Sequence, residues 1–70
     1  MTRELLAKII KTRRKQLKIT QIDLAMLSGI STRQLSDIET AQASTTIDTL
    51  SKICETLGLS IELKIKGVES

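Results

Sequence analysis

The sequence predicts a mainly α chain of four short helices followed by one β-strand. Three observations lead there. Apolar residues recur at helical spacing in four separate stretches, each opened by Thr or Ser in a capping position. Glycine stands at the end of two of them, at Gly29 and Gly58. After Gly58 the period switches to two, with Leu59, Ile61, Leu63 and Ile65 alternating with Ser60, Glu62, Lys64 and Lys66.

Thr2 is placed to cap a first helix running to about Leu17, with Glu4 near the positive end of its dipole. Leu6, Ile10 and Leu17 mark its apolar stripe, and Leu5 and Ile9 widen it on one side. Lys11, Arg13, Arg14, Lys15 and Lys18 gather towards the C-terminal end, where cations suit the dipole. Five cations exceed what the dipole explains, so some project where another macromolecule's charge can meet them.

Thr20 opens the second helix with Asp23 as its capping-box partner. Leu24, Ala25 and Leu27 form the expected inward face, with Ile22 beside it. Gly29 stops the helix, Ile30 plugs the turn, and Ser31 starts a third helix with Gln34 completing a second box. Leu35 and Ile38 point inward from that helix. A cap, an apolar face, a glycine stop and a second cap between Thr20 and Glu39 spell a helix-turn-helix. In that motif the second helix lies in the DNA major groove, with side chains near its N-terminus reaching base edges.

A polar link over 40–44 leads to Thr45 or Thr46 as the cap of a fourth helix, Thr45 and Asp48 making a box-like pair. Its stripe is Ile47, Leu50, Ile53, Cys54 and Leu57, so Cys54 reads as a core thiol. The strand after Gly58 has no partner segment in the chain, and buried backbone groups need one. The economical solution is the same strand from a second copy, paired antiparallel about a two-fold axis, with Leu5 and Ile9 packing beneath. The expected organisation is thus a DNA-binding domain over residues 1–58 and a dimerisation strand and tail over 59–70.

Seventy residues allow one small domain that often needs outside support. One cysteine and no histidine give no disulfide, no metal site and a reducing compartment. No apolar run is long enough for a membrane span or a signal-peptide core, so a cytoplasmic protein without a membrane partner is expected. Oligomerisation remains as the stabilising device. The net charge of +3 hides an asymmetry: residues 1–33 hold eight Lys/Arg against two acids, and residues 34–70 hold three against six. A basic half covering the first helix and the start of the third is a footprint for phosphate. There is no histidine, Gly-rich phosphate loop, cysteine pair or base-paired serine, so enzymatic chemistry, a cofactor and a small-molecule ligand are not expected. The absence of aromatic residues argues against a single-strand stacking platform and leaves double-stranded DNA as the expected partner.

Arg14, Leu17, Thr20-Gln21-x-x-Leu24-Ala25, Gly29-Ile30-Ser31 and Leu35-Ser36-x-Ile38-Glu39 together resemble the Xre/Cro/C1 family of phage-repressor-type domains. The continuation STTIDTLSKICETLGLSIELKI is similar to HipB-type antitoxins, whose helical domain ends in a strand shared across a homodimer. The resemblance implies base reading by Ser31, Thr32, Arg33, Ser36 and Asp37, and phosphate binding by Gln21. Arg13, Lys15 and Lys18 join Gln21 as phosphate candidates by charge, and Gln42 by its place in the loop. It also implies an ion pair between Arg14 and Glu39. The family's common Asn-Gly-Lys is Thr40-Ala41-Gln42 here. Dimerisation falls to Leu5, Ile9, Leu59, Ile61, Leu63 and Ile65. The expected function is a homodimeric, sequence-specific repressor that binds an inverted repeat. By resemblance it serves as the antitoxin of a toxin–antitoxin operon, repressing its own promoter and neutralising a HipA-like kinase toxin. The alternatives are a stand-alone phage-type repressor, or a protein-masking module without DNA binding; Arg33, Gln21 and the basic first helix speak against the last.

Overall fold

The computed structural model describes residues 2–67 of the chain. Four helices follow one another: α1 (Arg3–Gln16), α2 (Gln21–Ser28), α3 (Thr32–Glu39) and α4 (Ile47–Leu57). Each opens on a hydroxyl side chain that accepts from a backbone amide of the first turn: Thr2 from Leu5, Thr20 from Asp23, Ser31 from Gln34 and Thr46 from Thr49. At α2 the box is complete, the Asp23 carboxylate accepting in return from the Thr20 amide. The fourth cap is Thr46, which pairs with Thr49; the box expected from Thr45 and Asp48 does not form.

The helix ends share one device. The amides of Lys18 and Ile19 reach back to the carbonyls of Lys15 and Arg14, and those of Gly29 and Ile30 to Met26 and Ala25. Ala41 and Gln42 do the same to Ile38 and Asp37, and Gly58 and Leu59 to Glu55 and Cys54. This is the Schellman closure, four times over. It needs one left-handed residue per helix. Gly29 meets that need at φ 71° without steric cost and makes the tight turn between α2 and α3, whereas Lys18 (φ 58°) and Ala41 (φ 59°) adopt the same conformation with a side chain attached. At three ends the next residue, Ile19, Ile30 or Leu59, packs against the core. At α3 it is Gln42, which is exposed.

That core comprises Ile10, Leu24, Ala25, Leu35, Ile38, Ile53 and Leu57, drawn from all four helices, with Leu6 and Leu50 at its edge. Cys54 is buried and unpaired, and desolvation pushes its thiol pKa up from the ordinary value. Three positions read as inward from spacing, Leu17, Leu27 and Ile47, are exposed, and so is Ile22 beside them. Short helices present only one or two turns to the core, so residues at the margin of an apolar stripe fall outside it.

The predicted β-strand is absent: the described part of residues 59–70 carries no strand, and the architecture of the described residues is all-helical. Alternation sorts side chains onto two faces but supplies no second backbone to complete a ladder. Leu59 is occupied instead as the residue that closes α4 onto the core. Leu63 and Ile65, 97% and 77% exposed, find nothing in their own chain to pack on. Met1 of the expected N-terminal unit and 68–70 of the expected tail lie outside the described residues.

Candidate nucleic-acid interface

The geometry of the site begins with how α3 is held. Its inward residues Leu35, Ile38 and Glu39 are buried. Glu39 is the unusual one, a carboxylate with 1% of its side chain exposed. Burial of a charge is costly unless it is paired and hydrogen-bonded, and here every requirement is met. Arg14 of α1 donates Nε to Oε2 at 2.7 Å and Nη2 to Oε1 at 3.0 Å, a two-pronged contact. Gln21, the first residue of α2, donates Nε2 to Oε1 at 3.1 Å. The remaining Arg14 nitrogen, Nη1, donates to the Ile19 carbonyl at 2.9 Å, fixing the link between α1 and α2. Hydrogen bonding to Glu39 is the main cause that raises the Arg14 pKa; desolvation opposes it and the charge of Glu39 adds to it. Three helices are thereby tied at one buried point.

With that face fixed, the opposite face of α3 is left to solvent. Ser31, Thr32, Arg33 and Gln34 are exposed, and Ser36 and Asp37 are half-buried. Arg33 is the sole cation on α3, sits in its first turn and has 88% of its side chain exposed. Its Nε lies 3.6 Å from Asp37 Oδ2, one turn further along. Ser31 accepts from the Gln34 amide, but the reciprocal side-chain bond expected of a second box is not made. Gln34 therefore joins the exposed face beside Arg33. Spacing alone assigned it to the cap, and the only signal against that was its place on the same side of the helix as Arg33.

The residues expected at phosphate scatter more widely. Gln21 is half-buried with one amide donor committed to Glu39. Lys15 and Lys18 are exposed at the end of α1. Arg13 points elsewhere: its Nε donates to the Leu57 carbonyl at 2.9 Å, capping the last turn of α4. Gln42 is exposed in the loop after α3, its Nε2 3.4 Å from the Thr40 carbonyl. Of the residues expected at a dimer contact, Leu5, Ile9, Ile61, Leu63 and Ile65 are exposed, and Leu59 is half-buried. Apart from these, α2 exposes Ile22, Met26 and Leu27, an apolar patch that helical spacing had assigned in part to the core. Among the described residues no group of His, Cys, Asp or Glu is arranged to hold a metal ion, and no helix is long and apolar enough to cross a membrane.

A family described as "Helix-turn-helix" matches residues 10–64, a stretch that takes in α2, the left-handed Gly29 and α3. The chain belongs to the helix-turn-helix family, of the Xre/Cro/C1 type. It is a DNA-binding regulator of that family. Among solved structures it is similar to one named "MDT Protein", at 33% identity and a TM-score of 0.81, the likeness covering 94% of this chain and 93% of that one. No curated protein matches it. The two helices joined by the left-handed turn at Gly29 within the matched stretch are α2 and α3.

Proposed function

We propose that this regulator is a sequence-specific transcriptional repressor that binds an inverted-repeat operator as a homodimer. The observation that carries the reading is the exposed face of α3: Arg33 projects into solvent from the first turn, with Ser31, Thr32, Ser36 and Asp37 around it, while Glu39 anchors the other face. Arginine matches guanine by donating to O6 and N7 together, and short hydroxyl side chains can contact neighbouring bases. Gln21, Lys15, Lys18 and Gln42 supply backbone contacts, which position without reading sequence. A two-fold dimer places two such helices in successive major grooves, about 34 Å or one helical turn apart. The exposed Leu5, Ile9, Ile61, Leu63 and Ile65 supply apolar surface for contact between copies.

The finer reading is that the repressor is the antitoxin of a toxin–antitoxin operon and neutralises a kinase toxin. Its support is the similarity of residues 44–65 to HipB-type antitoxins and the apolar patch of Ile22, Met26 and Leu27, a surface suited to a protein partner. Selection from a library of randomised duplexes tests the repressor reading. A two-fold symmetric motif containing guanine in each half-site is expected, and Arg33→Ala should lose roughly 1–3 kcal/mol and relax preference at one base pair per half-site. Recovery of the same motif at the same stringency by both proteins would show that Arg33 reads no base. Co-purification with the product of an adjacent kinase-like reading frame tests the antitoxin reading, and its failure leaves DNA binding untouched.

A further inference from the structure

We infer that Asp37 is the positioning residue for Arg33, aiming the guanidinium at a base and turning the helix away from non-specific docking on phosphate. The inference rests on the proposed base reading by Arg33. Arg33 and Asp37 lie one turn apart on the outward side of α3, with Nε 3.6 Å from Oδ2. That separation is an ion pair rather than a hydrogen bond, and in the free protein such an exposed pair contributes little to stability. Its effect appears on docking, when water leaves the groove and the attraction strengthens.

A guanidinium offers two edges for two-pronged recognition, one through Nε and one through its terminal nitrogens. Asp37 occupies the Nε side, which leaves the Nη1–Nη2 edge to meet guanine O6 and N7 end-on. A long, exposed arginine without such a brace swings readily to the nearest phosphate, the mode that supplies sequence-independent affinity. With Asp37 in place that swing either breaks the pair or brings a carboxylate against the DNA backbone. Asp37 thus acts against phosphate contact. Among the described residues the Asp37 carboxylate takes part in no hydrogen bond, and its i,i+4 pairing with Arg33 adds only roughly a few tenths of a kcal/mol to the helix. It is the Asp37 carbonyl, not the carboxylate, that accepts from the Gln42 and Ala43 amides in the following turn.

The test uses wild type, Arg33→Ala, Asp37→Asn and the double variant, each run through selection from randomised duplexes. Each is then titrated at one salt concentration against the wild-type consensus duplex and a scrambled duplex. Asp37→Asn should bind the scrambled duplex more tightly and the consensus no better, so that the specificity ratio falls roughly tenfold. Its selected motif should relax at the base pair that Arg33→Ala relaxes, and the double variant should lose no more specificity than Arg33→Ala alone. If Asp37→Asn tightens both duplexes by the same factor and keeps the motif, Asp37 acts only as a general charge and the inference fails while base reading by Arg33 stands. If specificity falls at a different base pair, Asp37 reads on its own account and does not position Arg33. If Arg33→Ala leaves the motif unchanged, the base reading fails and takes this inference with it. Thermal melts of the variants confirm that the substitutions have left the fold intact.

Discussion

Replacing Glu39 by alanine is the perturbation to which this fold should be most sensitive. It removes the two Arg14 contacts at 2.7 and 3.0 Å and the Gln21 contact at 3.1 Å. The guanidinium is then left largely buried with one acceptor, the Ile19 carbonyl. Breaking a buried pair by deleting one partner costs about 3–5 kcal/mol. Arg14 retains 11% side-chain exposure, so some water reaches the orphaned charge and places the loss near the lower end, about 3 kcal/mol. A chain of this length has a total stability of roughly 3.5–10 kcal/mol, so the variant should sit close to its folding threshold. The melting temperature should drop by about 12–24 °C, at the 4–8 °C per kcal/mol expected of a domain this size. Circular dichroism melts and urea titrations measure both quantities. Glu39→Gln keeps the shape and an acceptor and should lose less, about 1.5–3 kcal/mol. Changing both partners together, Arg14→Met with Glu39→Leu, should recover much of the loss because no charge is left unmatched. A Glu39→Ala melt within 2 °C or so of wild type, against the 4–8 °C that even 1 kcal/mol would shift, would refute the idea that this network holds the helices together.

Ala41→Gly should stabilise the protein by about 1 kcal/mol, seen as a Tm increase of roughly 4–8 °C, because Ala41 pays the left-handed penalty that glycine avoids. Arg13→Ala should cost about 1 kcal/mol through its lost bond to the Leu57 carbonyl while leaving the salt dependence of DNA binding unchanged; a slope reduced by about one would instead make Arg13 a phosphate contact. Because burial raises the Cys54 pKa, its contribution to stability is complete below the ordinary thiol value of 9.0 and is lost as pH rises through the higher folded value. Urea titrations should therefore show stability falling above about pH 9, more steeply than in Cys54→Ala. Iodoacetamide should label Cys54 slowly in buffer and rapidly in denaturant, whereas equal rates would contradict its burial.

The parts of this fold written in local chemistry were readable in the sequence. Thr2, Thr20 and Ser31 cap the helices they were expected to cap, and Gly29 and Gly58 end the helices that precede them. Features set by distant partners were less readable. Arg13 and Arg14 are adjacent and identical in type, yet one closes α4 and the other meets Glu39; the family resemblance named the Arg14 pair, while nothing local marked Arg13 for α4. The strand shows the same limit from the other side. Alternation at Leu59, Ile61, Leu63 and Ile65 describes faces, but a ladder is a property of two backbones and one chain contributes only one. Likewise the turns at Lys18 and Ala41 carry no glycine to announce them, and their left-handed geometry follows from Schellman closure.

The unequal closure of the helix ends sets the order in which this protein should come apart locally. Ile19, Ile30 and Leu59 each nail a helix end to the interior, but after α3 the corresponding residue is the exposed Gln42, preceded by a conformationally costly Ala41. Fraying should begin there, and the amides of Gln42 and Ala43 should exchange hydrogen for deuterium ahead of those in α3 itself. The unzipping starts at the end of α3 opposite to Arg33, whose own end is held by the Ser31 cap. The two ends of α3 are therefore separately adjustable. Changes in the 40–44 link can tune the protein's lifetime in the cell, and changes near residue 33 can alter the operator it selects, with Asp37 as the residue that touches both ends.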